Sequence, residues 1–105
     1  MTITTQVISN SVVGNTVYTS GGNTAITWLS LNNWGAANVT ANVFVVPNSN
    51  SATTSNQILY ALPLASGDTY QLYAAGEKLL LGTGDFVQVI ATANTVTAVT
   101  SYTTI

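Results

Sequence analysis

Along most of this chain β-branched residues alternate with polar ones, and no stretch carries a helical repeat of apolar positions longer than two turns. A two-residue period puts successive side chains on opposite faces of an extended strand, so the pattern calls for pleated sheet with one face turned to a core. Clusters of Gly, Asn, Ser and Pro cut it into short pieces at Asn10-Ser11, Gly21-Gly22-Asn23, Asn33 to Asn38, Pro47 to Asn56, Ser66-Gly67-Asp68 and Gly82-Thr83-Gly84. The strands expected between them are Ile3 to Ser9, Val12 to Thr19, Ala25 to Leu31, Val39 to Val46, Gln57 to Leu62, Thr69 to Tyr73, Lys78 to Leu81, Phe86 to Ala93 and Thr95 to Thr103. Strands at this spacing with no helix between them pack as two antiparallel sheets or close into a barrel, and the two-sheet arrangement is expected here. The expected fold class is all-β: an antiparallel β-sandwich, jelly-roll or Ig-like, of about eight or nine short strands. It forms one domain over residues 1–105, with residues 1–11 as an N-terminal arm or edge strand.

The period also names a core. Val39, Ala41, Val43 and Val45 share one face of their strand while Thr40 and Asn42 take the other, and Tyr70 with Leu72, and Val87 with Val89 and Ala91, repeat the pattern. Phe44 and Val46 break it. Their face is then either covered within the chain at that end or met by a partner. Pro47 to Asn56 holds no large apolar side chain and reads as a solvated hairpin loop, the alternative being an adhesive tip.

Composition narrows the chemistry. The chain has no Cys, His or Arg, and its only charged side chains are Asp68, Glu77, Lys78 and Asp85. General acid-base catalysis draws on His or on paired carboxylates, and a nucleophilic Ser or Thr needs a base beside it. The expectation is therefore a protein that is not an enzyme and has no catalytic residue, cofactor or metal. One basic side chain cannot neutralise a run of phosphates, which argues against nucleic acid as a partner. No apolar run approaches the ~20 residues of a spanning helix, which argues against a membrane. The first residues lack the basic start and apolar core of a secretory signal, so an intracellular site is expected. Eighteen Thr, nine Ser and eleven Asn supply polarity where charge does not. A neutral hydroxyl surface costs less to desolvate than a charged one, which suits a subunit packed against other proteins.

Ser66-Gly67-Asp68 and Gly82-Thr83-Gly84-Asp85 each set Gly-Asp before a strand, where the carboxylate can accept backbone N–H bonds and fix the turn. A shared cation site is the alternative. Glu77-Lys78 reads as a solvated pair. The aromatic residues Trp28, Trp34, Tyr18, Tyr60, Tyr73 and Tyr102 serve as core or subunit contacts, or alternatively as a platform for stacking sugar rings. The candidate interface residues are Trp28, Trp34, Phe44, Tyr60 and Tyr102.

Three segments carry a resemblance: Val17-Tyr18-Thr19-Ser20 with Asn23-Thr24-Ala25, then VFVVP from Val43 to Pro47, then SGDTYQL followed by LLLGTGDFVQVIATA. Over residues 12–93 the chain resembles small β-sandwich virion proteins of tailed bacteriophages, with Gly21 where that group often has Pro. The resemblance implies a capsid decoration or cement protein that bridges shell subunits, with the major capsid protein or other virion proteins as partners. It also implies a homo-oligomer, with a trimer favoured, and a place in the virion after assembly in the host cytoplasm. A tail, neck or fibre-associated structural protein is the alternative within the virion; a carbohydrate-binding adhesion module is the alternative outside it. A chain starting at Met1 matches a free-standing decoration subunit better than an excised fibre domain.

Overall fold

The computed structural model describes residues 2–9, 14–72 and 78–105. They form nine strands: β1 (Thr2–Ile8), β2 (Asn15–Thr19), β3 (Thr24–Asn33), β4 (Val39–Val46), β5 (Gln57–Leu64), β6 (Thr69–Leu72), β7 (Leu79–Leu81), β8 (Phe86–Ala91) and β9 (Val96–Thr104). The expected strands are all present, and the ends differ where pairing extends or stops them. β3 runs on to Asn33 because Asn32 and Asn33 still pair with Thr97 and Val96 of β9. β8 stops at Ala91, its last partner being Ala41. Val12 and Tyr73, placed in strands by sequence, lie outside the described residues.

The strands pack as two antiparallel sheets. The first has the order β1-β9-β3-β6, with β7 pairing β3 beyond β6, and the second has the order β2-β8-β4-β5. The pairs are nested: β1 with β9, β2 with β8, β3 with β6 and β7, β4 with β5. A chain folded as one long hairpin and then rolled up gives this order, which is the jelly-roll rather than the immunoglobulin arrangement. Most consecutive strands therefore change sheet, and only β4 and β5 are joined as a direct hairpin.

Between the sheets lies one core. Ile26, Leu29 and Leu31 of β3, with Val96 and Ala98 of β9, face Val39, Ala41 and Val43 of β4 and Val87, Val89 and Ala91 of β8. Tyr70 departs from expectation: it shares a face with Leu31 but is 37% exposed, because β6 is a short edge strand with nothing beyond it. Phe44 and Val46 are buried on the side of β4 away from this core, and the 3-10 turn Thr54–Asn56 packs beside β4. Their face is thus covered by the chain itself. The Pro47 to Asn56 segment is mostly exposed yet locally built, with Asn50 N–H donating to Pro47 O at 3.1 Å and Thr53 and Asn56 capping each other.

Two corners hold the roll. At each, Gly-Asp forms a turn with glycine at φ +83° (Gly67 and Gly84), closed by Asp68 N–H to Ala65 O at 2.9 Å and Asp85 N–H to Gly82 O at 3.2 Å. Only glycine adopts that φ without strain. Each turn then exchanges two backbone bonds with the end of a strand in the other half of the hairpin. Asn33 N–H donates to Asp68 O at 2.9 Å and Gly67 N–H to Asn33 O at 2.8 Å, while Ser20 N–H donates to Asp85 O at 2.8 Å and Gly84 N–H to Ser20 O at 2.7 Å. Asn33 is fully buried and uses its whole bonding capacity: Nδ2 donates to Ala37 O (2.8 Å) and Leu64 O (3.0 Å), and Oδ1 accepts from Gly35 N–H (3.1 Å) and Thr95 Oγ1 (2.9 Å). Ser20, buried too, bonds Gly22 O and lies 2.8 Å from Thr24 Oγ1.

Three stability changes follow. Asn33→Ala removes four side-chain hydrogen bonds from a buried corner and should cost on the order of 3 kcal/mol in urea unfolding. Gly84→Ala should cost more than Gly67→Ala, since a Cβ at Gly84 meets the Asn48 side chain while one at Gly67 meets open space. Among the described residues Thr100 Oγ1 is the one buried side-chain polar atom without a partner. Thr100→Val, which removes it at equal volume, should therefore stabilise the fold by about 1 kcal/mol and raise Tm by roughly 4 °C.

Candidate functional site

The two aspartates are spent on the fold. Asp68 Oδ2 accepts from Ala65 N–H at 3.2 Å, closing its own turn. Asp85 does the same with Gly82 N–H at 2.9 Å, and its second oxygen takes Asn48 N–H at 2.9 Å, which ties the start of the β4–β5 connection to the β7–β8 turn. This is the structural role read from the sequence. Among the described residues no three His, Cys, Asp or Glu side chains gather as metal ligands. Glu77 lies outside the described residues.

A groove of about 230 Å³ opens at one end of the second sheet, lined by Asn38, Thr40, Pro63 and Thr92 among others. Several of its polar groups are engaged: Thr40 N–H donates to Thr92 Oγ1 at 3.0 Å and Asn38 Oδ1 accepts from Ser66 N–H at 3.2 Å. It is smaller than the usual small-molecule site.

The outer face of the first sheet has a different character. Strand registers place its side chains in rows: Val7, Thr97, Asn32 and Thr69; Thr5, Val99, Ser30 and Gln71; Ile3, Ser101 and Trp28; Thr103, Ala25 and Leu80. No position in these rows carries a charge. Trp28 reaches this face through a register shift between Ile26 and Trp28, where Thr27 Oγ1 donates to Ser101 O at 3.3 Å. Trp34 joins it from beyond the end of β3. Its backbone N–H donates to Thr95 O at 3.0 Å and its indole Nε1–H to Thr97 Oγ1 at 3.0 Å, so the ring is held against the top row while 57% exposed. Ile3, Val7 and Leu80 are also strongly exposed. The face thus mixes aromatic rings, aliphatic groups and hydroxyls, a composition that sheds water at low cost.

Of the five expected interface residues, the structure brings two together here, Trp28 and Trp34. Tyr60 is 75% exposed but sits on β5, at the edge of the second sheet. A bulge aims it outward: β5 slips register between the partners of Ala41 and Val43, Ala61 takes φ +50°, and Asn42 Oδ1 accepts Ala61 N–H at 2.7 Å. Tyr102 turns inward, its ring centroid 4.2 Å from that of Tyr18 at one end of the core. Phe44 is 5% exposed and belongs to the interior, which corrects its place among surface candidates. Period alone assigned Phe44 to an outer face and could not register that this face is buried at that point.

Asp85→Ala should destabilise the fold more than Asp68→Ala, by about 1 kcal/mol in denaturant titrations, because it frees two backbone N–H groups rather than one. Comparison with known proteins finds no matching family model, no similar curated protein and no similar solved structure.

Proposed function

We propose that this chain is a bacteriophage virion structural protein, a capsid decoration or cement subunit that stabilises the shell by lying across the seams between capsid subunits. The observation that supports this reading most is the uncharged outer face of the first sheet, with Trp28 placed on it by strand register and Trp34 held on it by an indole hydrogen bond. Jelly-rolls serve as capsid and lectin domains, so the strand order is compatible with the reading at the level of fold analogy alone. Its partners on this reading are the major capsid protein and further copies of itself. The mechanism is contact rather than catalysis. Each subunit buries aromatic, aliphatic and hydroxyl groups against a neighbour, and symmetry multiplies many weak contacts into a large avidity.

The same surface would serve a tail, neck or fibre protein, and copy number separates the two. A carbohydrate-binding role has one observation in its favour, the exposed and immobilised indole of Trp34. Quantitative mass spectrometry of purified particles should find this chain on the order of hundreds of times per particle, as a repeating shell requires. Particles stripped of it should rupture at lower temperature and recover on adding it back. A count matching a single small ring would move it to the tail, and its absence from particles together with glycan binding that is lost in Trp34→Ala would favour the third role.

A further inference from the structure

The sandwich has four edges, and three are blunted in the ways proteins use to stop strands pairing with other chains. β2 has five residues and a register shift between Thr16 and Tyr18. β5 carries Pro63, two register shifts and the left-handed Ala61. The edge beyond β3 is split between β6 and β7, with four and three residues. β1 has none of these devices. Its seven residues, TITTQVI, pair with β9 in unbroken register from Thr2 to Ile8, without proline, glycine or charge. An antiparallel edge strand leaves alternate backbone N–H and C=O groups pointing away from its one partner, ready for another.

From this edge we infer that β1 pairs antiparallel with β1 of a second copy of this chain, about a two-fold axis through Thr5. The sequence of the strand is self-complementary in that register and selects the occupant. Ile3 falls opposite Val7 on the outer face, where both are exposed, so each pair buries two apolar side chains. Thr4 falls opposite Gln6 on the inner side, an uncharged pair whose side chains are already bonded within their own copy, Thr4 Oγ1 donating to Val17 O at 3.2 Å and Gln6 Nε2 to Val7 O at 3.1 Å. The nearly neutral chain offers no charge on this strand to oppose the approach. Such a dimer is isologous and closed, and it joins the two first sheets into one. The uncharged face then continues across the junction, twice as wide as in one copy. The inference stands apart from any virion role.

Size-exclusion chromatography with light scattering tests it on the free protein, expecting twice the 10.9 kDa chain mass at micromolar concentration and above. Thr5→Lys sets two like charges face to face at the axis and should give the single-chain mass with unchanged circular dichroism, and with a Tm that no longer rises with protein concentration. Thr5→Cys, in a chain without native cysteine, should form a disulfide-linked dimer on mild oxidation, since directly opposed strand residues lie within disulfide reach. A monomeric or trimeric wild type, a Thr5→Lys variant of unchanged oligomeric mass, or a Thr5→Cys variant that does not cross-link would overturn the pairing. Abundance in particles bears on the proposed function and leaves this result untouched.

Discussion

A rolled hairpin keeps its shape only if its two halves are fastened to each other, and here the fastening is backbone hydrogen bonding at two equivalent corners. At Ser20 and at Asn33 a strand end exchanges a pair of N–H to carbonyl bonds with a Gly-Asp turn from the returning half of the chain. No disulfide and almost no ion pairing is open to this sequence, so these buried polar joints and the core between the sheets have to supply what cross-links supply elsewhere. Each corner also uses its aspartate to finish the turn, which leaves two of the four charged side chains occupied by architecture.

How far this was legible can be traced residue by residue. The alternating pattern reveals every strand because burial of one face is what enforces it, and the likeness of the two Gly-Asp turns is visible because both need glycine at positive φ followed by a carboxylate. The choice of jelly-roll over immunoglobulin order rests on pairings between distant strands, which a local period does not encode. Phe44 shows the same boundary. Its burial depends on how the rest of the chain packs against β4, which the period of one strand does not encode. The bulge at Ala61 likewise depends on the amide of Asn42 across the sheet, and nothing in either segment alone announces it. Trp28 and Trp34 were legible as aromatics but not as residues of one face, because a register shift and an indole hydrogen bond bring them there.

The surface follows from the same economy of charge. Threonine and serine on the outer rows of the first sheet satisfy strand geometry and water at once, and they release that water more readily than lysine or glutamate would. A sheet face of this kind, rimmed by an edge strand free of the usual blocking devices, suits the contact role proposed for it. The second sheet is organised differently, with Phe44 and Val46 buried on its far side and its edges broken by register shifts.

The central claim is that the outer face of the first sheet is where this protein acts. Hydroxyl-radical footprinting of the chain free and in its native assembly tests it directly, because Trp34 and Tyr60 are both exposed and lie on different sheets. The account predicts that oxidation of Trp34 falls several-fold on assembly while that of Tyr60 changes little. Protection of Tyr60 with Trp34 left reactive would contradict it.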